Sequence, residues 1–169
     1  MRQRQLLQDG TTASAFGIGC MSFAGAYGPT SEAETHDTLA AAQDIGLDFL
    51  DTANIYGMGR SETVIGSYLA KNKDTFKIAS KVGIWKDPNS DKRGINNDAT
   101  YMRQELEATL RKLNRDYLDL YYIHRLDPTV PVETTMDALL TFKKEGKIRG
   151  IGFSEISPAT LRRAAALGP

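Results

Sequence analysis

Short runs rich in Ile, Val, Phe and Tyr alternate along this sequence with longer segments of helical spacing. The repeat is about 30 residues, the size of one strand–loop–helix unit. This alternation constrains the fold more than any other feature, because strands joined through helical crossovers lie parallel and must be covered by those helices. The apolar runs that read as buried strands are Ser14–Cys20, Leu47–Thr52, Phe76–Lys81, Leu118–His124 and Ile148–Phe153. The first intervening helix opens at Ser31, with Glu34 completing a capping box, and stops at Gly46. A second begins near Ser61 and runs to about Lys71, with Ile65 and Leu69 four apart. A third puts Met102, Leu106, Leu110 and Leu113 on one face. Pro131 opens a fourth, in which Val132, Met136, Leu139 and Leu140 share a face and which ends at Gly146. Ser157-Pro158 starts a fifth, with Leu161 and Ala165 predicted to face inward. Asp9-Gly10 before the first strand predicts a small N-terminal hairpin. The polar loop Trp85–Asn97, rich in Pro, Gly and Asn, is expected to be the most mobile segment.

The pattern leaves two architectures open, a doubly wound sheet or part of a closed barrel. A doubly wound nucleotide-binding sheet usually carries Gly-x-Gly-x-x-Gly after its first strand. Here Gly17-Ile18-Gly19-Cys20-Met21-Ser22 lacks the third glycine, and the next helix starts too late to cradle a phosphate. The barrel is favoured.

Charge removes some classes of partner. Lys+Arg and Asp+Glu both number 21, so no electrostatic argument favours nucleic acid or an anionic membrane. The single cysteine cannot form an internal disulfide, and the N-terminus shows no apolar run of signal-peptide length. The expected compartment is the cytoplasm. No metal site is predicted.

In parallel βα proteins the loops after the strands share one face, and function sits there. At that rim the second strand ends on Asp51, with Tyr56 just beyond; the third ends on Lys81 and the fourth on His124. Each has a bland reading alone: Asp51 as a turn cap, Tyr56 as a loop tyrosine, Lys81 as a strand-end lysine snorkelling to water, His124 as a structural histidine. Their coincidence on neighbouring strands is the argument for chemistry. A phenol releases its proton reluctantly at neutral pH, and a neighbouring ammonium eases that release. Lys81 is placed to do this for Tyr56, Asp51 can pair with the lysine, and His124 can donate a hydrogen bond to a substrate oxygen. Such a set suits adding a proton to a carbonyl oxygen as hydride reaches its carbon. None of the four supplies hydride, so a cofactor must. A rival reading uses the Lys81 amine as a Schiff-base nucleophile; the adjacent Tyr56 and Asp51 argue against it.

The segment Gly46-Leu47-Asp48-Phe49-Leu50-Asp51-Thr52-Ala53-Asn54-Ile55-Tyr56-Gly57 resembles the aldo-keto reductase signature. Ile78-Ala79-Ser80-Lys81 resembles that family's catalytic-lysine strand, Leu120–Arg125 its histidine strand, and Lys147–Ser154 its fifth strand. The resemblance runs from about Leu6 to Pro169. It implies a (β/α)8 TIM barrel that uses NADPH, less often NADH, to reduce small aldehydes and ketones. By the same resemblance Tyr56 is the general acid, Asp51 and Lys81 tune it, and His124 orients the carbonyl. Gly19, Cys20, Met21, Asp51, Ser154 and Glu155 are the implied cofactor contacts. Many members carry Asn where this chain has Glu155. Ser-Glu together with the His124-Arg125-Leu126-Asp127-Pro128 pattern is similar to a pyridoxal-reductase-like and auxin-induced-like branch. Phe23, Tyr27 and Trp85 sit in rim loops, as pocket walls or as loop-packing aromatics.

A closed barrel of this type takes about 250 residues, and this chain has 169. The resemblance therefore implies one partial barrel domain over 1–169, holding the N-terminal hairpin and the first five βα units. Strands six to eight, with the residue that stacks on the nicotinamide and the loop that grips the 2′-phosphate, are expected to be absent. Such a chain is expected to be marginal alone, to self-associate, or to be a fragment of a longer protein, and to be active only if the remaining half-barrel is supplied by fusion, partner or dimer. The competing function is a non-catalytic remnant or interaction module.

Overall fold

The computed structural model of the protein describes residues 1–72, 76–87 and 89–168. Its centre is a parallel five-stranded sheet. In chain order the elements are β1 (Gln3–Gln5), β2 (Thr12–Ser14), β3 (Ile18–Gly19), α1 (Glu32–Asp44), β4 (Phe49–Asp51), α2 (Arg60–Leu69), β5 (Lys77–Val82), β6 (Ile84–Lys86), β7 (Arg93–Ile95), α3 (Ala99–Leu113), β8 (Leu118–Ile123), α4 (Val132–Lys144), β9 (Ile148–Phe153) and α5 (Pro158–Ala165). The sheet order is β3-β4-β5-β8-β9, with neighbours in sequence also neighbours in space. Each crossover carries a helix over the same face. The chain is a partial (β/α) barrel, and β3 and β9 are its two outer strands.

Strand alternation sorts side chains into two layers. On β5, Ile78, Ser80 and Val82 face the helices, while Ala79 and Lys81 face the barrel interior; all are buried. The outer layer packs Leu50, Ile78 and Tyr121 of the sheet against Leu39, Ile65, Leu69, Met102, Leu106, Leu113, Met136, Leu139 and Phe142 of the helices. Two glycines make close packing possible. Gly66 on α2 lies against the Lys112 carbonyl of α3, and Gly152 on β9 lies under the Tyr122 ring.

The capping box at Ser31 and Glu34 is present, and Gly46 takes the left-handed conformation that ends α1. The N-terminal hairpin forms as β1 pairs antiparallel with β2. Other boundaries differ from the sequence reading. The first predicted strand breaks in two: Ser14 belongs to the hairpin, and only Ile18–Gly19 joins the barrel sheet. Ser14 causes the break. Its hydroxyl donates to the Phe16 carbonyl (2.6 Å) and accepts from the Asp48 amide (3.0 Å), while its own amide donates to the Asp48 carboxylate (2.6 Å). The second helix begins at Arg60, as expected near Ser61, but ends at Leu69 rather than about Lys71; Ser61 is fully buried and donates to the Cys20 carbonyl (2.8 Å). On α5 the buried residue is Ala164, whereas Leu161 and Ala165 face outward. The segment read as a long mobile loop contains the hairpin β6–β7, with the Trp85 indole over Gly94; its residue 88 lies outside the described residues. Of the rim aromatics, Phe23 is core and Tyr27 is exposed.

Among the described residues no helix is long and apolar enough to cross a membrane. No group of three His, Cys, Asp or Glu among them is arranged to hold a metal ion.

Candidate active site

The rim is built by a chain of backbone bonds that continue the sheet past its strand ends. The amide of Cys20 donates to Asp51 O, Thr52 to Ala79 O, Asn54 to Lys81 O, His124 to Val82 O and Ser154 to Ile123 O, at 2.8–3.2 Å. Each strand thereby presents its last interior side chain at nearly the same height. Asp51, Lys81 and His124 arrive this way from adjacent strands. Tyr56 reaches them from the turn after β4, where Gly57 and Gly59 both take left-handed φ (59° and 91°).

Lys81 is the hub. Its side chain lies on the interior face and the residue is 7% exposed. Its ammonium forms an ion pair with Asp51 Oδ1 and donates to the Thr52 carbonyl (2.8 Å) and to the Tyr56 hydroxyl (3.1 Å). Three donors meet three acceptors, so a buried charge that would be costly alone is satisfied. The Asp51 side chain stays 39% exposed, which leaves carboxylate surface toward the open end of the barrel. The ring of His124 stands edge-on to Tyr56, with centroids 5.9 Å apart at 81°. The structure thus brings together all four residues that the sequence placed at the rim.

His124 is 9% exposed, and burial, helped by the Lys81 and Arg125 cations, pushes its pKa down to about 4. At neutral pH the imidazole is uncharged and carries one N–H, so it can donate a hydrogen bond but holds no spare proton to give. Its Nδ1 is buried with no partner. Two consequences follow for pH. An NMR titration is expected to show one histidine with a midpoint near 4. Stability is expected to fall as pH drops from about 6.5 to about 4, because over that window the unfolded chain takes up a proton that the folded site refuses. A midpoint near 6.5 for His124 would contradict this burial.

The proposed cofactor contacts fall in two places. Gly19 closes β3 with nothing near the position of a Cβ, and Met21 beside it is exposed, so the floor there is open. Cys20 points the other way. It is fully buried, and burial pushes its thiol pKa well up, which makes it a packing residue in its side chain. Ser154 and Glu155 follow β9, where Arg125 holds both: Nη1 donates to Ser154 Oγ (3.2 Å) and Nη2 pairs with Glu155 Oε2 (2.6 Å). An open glycine floor, a half-exposed carboxylate and a rim hydroxyl fit the nicotinamide–ribose end of a dinucleotide, which needs close backbone approach, hydroxyl acceptors and an amide partner. In the sequence Arg125 stands out only as part of the pattern His124-Arg125-Leu126-Asp127-Pro128, and its place directly after the histidine strand is the mark of its position at the rim. The Thr52 carbonyl was also missed, since a backbone acceptor leaves no mark on residue identity.

Residues 15–168 match the Aldo/keto reductase family. The chain is 40% identical to the aldo-keto reductase yakc [NADP(+)] of Schizosaccharomyces pombe over 161 residues, covering 94% of this chain and 47% of that protein. It is 38% identical to the probable aldo-keto reductase 1 of Glycine max over 162 residues, covering 95% and 46%. Among solved structures, an aldo-keto reductase from Bacillus halodurans in its holo form superposes with a TM-score of 0.89 at 28% identity, covering 99% of this chain and 55% of that one. The chain spans about half the length of the curated relatives it matches.

Proposed function

The chain belongs to the aldo/keto reductase family, and on that premise we propose that its rim site reduces small aldehydes and ketones with a nicotinamide cofactor, NADPH ahead of NADH. One observation carries the reading: a single buried ammonium touches both a carboxylate and a phenol, with a neutral imidazole edge-on to that phenol. The reduced nicotinamide, when bound, supplies hydride to the carbonyl carbon. The chain's own residues do the rest. The N–H of His124 orients the carbonyl oxygen, and Tyr56 gives that oxygen its proton. Lys81 stabilises the phenolate left behind, and Asp51 holds Lys81 in place. Gly19, Met21, Asp51 and Ser154 would receive the nicotinamide and its ribose. The NADP(+) in the name of the Schizosaccharomyces pombe relative supports the cofactor class.

Among the described residues the outer strands β3 and β9 each pair on one side only, which supports a requirement for further βα units, supplied by a longer chain or a complementing half-barrel. The rival reading, a non-catalytic remnant or interaction module, rests on the same edges. Titration with NADPH, followed by its fluorescence, separates the two. A reductase half is expected to bind NADPH weakly alone and at least tenfold more tightly, on the order of 1.4 kcal/mol, when joined to the C-terminal half of the Schizosaccharomyces pombe relative. No binding by either form would sink the reductase reading. The cytoplasm is the proposed compartment.

A further inference from the structure

The guanidinium of Arg125 sits between the ends of β8 and β9 and is shared among three acceptors. Nη1 donates to the His124 carbonyl (2.6 Å) and to Ser154 Oγ (3.2 Å), and Nη2 pairs with the Glu155 carboxylate (2.6 Å). We propose, resting on the nicotinamide reading above, that Arg125 is a positioning residue that turns the Ser154 hydroxyl into a fixed hydrogen-bond donor for the carbonyl oxygen of the bound carboxamide, with Glu155 acting at the site through Arg125.

The argument is one of donor and acceptor counting. A guanidinium has only donors, so the Ser154 oxygen must accept from it. Accepting there occupies one of its two lone pairs, turns the hydroxyl's own proton away from the guanidinium, and makes the oxygen a stronger donor and a weaker acceptor. The Ser154 backbone cannot swing to compensate, because its amide donates to the Ile123 carbonyl (2.9 Å). A carboxamide offers one carbonyl acceptor and one NH2 donor. A serine drawn on by a cation favours the carbonyl over the NH2. Without Arg125 both lone pairs are free to accept, and the preference weakens.

Glu155 fits this role. It has a left-handed φ of 52°, a strained conformation for a residue with a side chain. Its carboxylate is 72% exposed and the Arg125 side chain 35%. An ion pair so open to water adds little stability, so holding the guanidinium in orientation is the effect left to it. A carboxylate cannot donate to a carbonyl oxygen, and pairing with Arg125 keeps that charge engaged while Ser154 does the donating.

The test uses the 169-residue chain, three dinucleotide probes and two substitutions. The wild type is expected to bind the thionicotinamide analogue of NADPH about tenfold more weakly than NADPH, since sulfur is a poor acceptor and one neutral hydrogen bond is lost. The 3-acetylpyridine analogue, which keeps the carbonyl and lacks the NH2, is expected to bind within about twofold of NADPH. Arg125→Gln is expected to cut the tenfold discrimination to about threefold or less. Arg125→Lys keeps the charge without the fork and is expected to weaken it. Equal binding of amide and thioamide by the wild type, or full discrimination retained in Arg125→Gln, would overturn the proposal.

A second readout needs no ligand. His124 faces the cations Lys81 and Arg125, the Asp51 carboxylate and the Tyr56 ring. Arg125→Gln is expected to raise the His124 titration midpoint, though not to 6.5, because burial is the larger cause. Arg125→Lys is expected to leave it near the wild-type value. An unmoved His124 in Arg125→Gln would show that Arg125 is not seated at the strand ends, and the proposal would fail whether or not dinucleotides bind. A wild type that binds no dinucleotide either alone or joined to the C-terminal half of the Schizosaccharomyces pombe relative, with His124 shifting as expected, would instead sink the cofactor reading and with it the assignment of the Ser154 donor.

Discussion

Gly66→Ala is expected to unfold the chain or cost it more than about 3 kcal/mol, although in most helices the same change stabilises by about 1 kcal/mol. The reversal comes from the neighbour. A Cβ on Gly66 would fall inside the Lys112 carbonyl oxygen, 2.9 Å from the Lys112 carbonyl carbon and 3.0 Å from Leu113 Cα. These are backbone atoms near the end of α3 and cannot rotate away. The helices α2 and α3 would have to separate, and the material between them is costly to expose. Glu62 on α2 is fully buried and accepts from Ser80 (2.7 Å) and Thr109 (2.8 Å), with Lys112 at 3.5 Å. Ile65 and Leu69 are buried in the same seam. A domain of this size is stable by only about 0.05–0.15 kcal/mol per residue, so such a loss is a large fraction of the total. Gly19→Ala is the control: it meets open space, and its stability is expected to stay within about 0.5 kcal/mol of wild type. Urea denaturation followed by far-UV circular dichroism measures both. A Gly66→Ala protein as stable as the wild type would contradict the helix packing described above.

Much of the fold was legible because periodicity and punctuation agreed. Ser31 and Glu34 opened α1, Gly46 closed it, and the run Ile148–Phe153 became β9 with those same bounds. The misreadings have physical causes. Ser14 continues an apolar run in sequence, yet its side chain bonds to residues 16 and 48 and draws it out of the sheet. On α5 the helical phase was off by one residue at Ala164, since a short segment with few apolar residues gives little to set the phase. The loop after β5 hid a hairpin because its strands, Ile84–Lys86 and Arg93–Ile95, are too short to show alternation.

The site was legible to the extent that it lies on side chains at strand ends. Asp51, Lys81 and His124 could be named because parallel topology sends the ends of neighbouring strands to one rim. What joins them is less visible. The Thr52 carbonyl that completes the shell of Lys81 belongs to the backbone, and the reach of Arg125 across to Ser154 and Glu155 depends on the spacing of two strands that only the fold sets.

Tyr56→Phe is expected to lower kcat for aldehyde reduction by about 10²–10⁴-fold, the usual worth of a positioned proton donor, in the chain joined to the C-terminal half of its Schizosaccharomyces pombe relative. NADPH affinity should change by no more than about twofold, because the hydroxyl acts only as the carbonyl is reduced. The substitution removes one oxygen that accepts from Lys81 (3.1 Å) and leaves the Asp51 and Thr52 contacts of that lysine in place. The most direct measurement of the proposed chemistry follows the hydride itself. With NADPH deuterated at C4 on the transferred face, the joined wild type is expected to place one deuterium on the former carbonyl carbon of the alcohol, and Tyr56→Phe to do so at the reduced rate given above. No deuterium in the alcohol, or transfer by Tyr56→Phe at the wild-type rate, would contradict a proton-donating Tyr56 held by Lys81 at this rim.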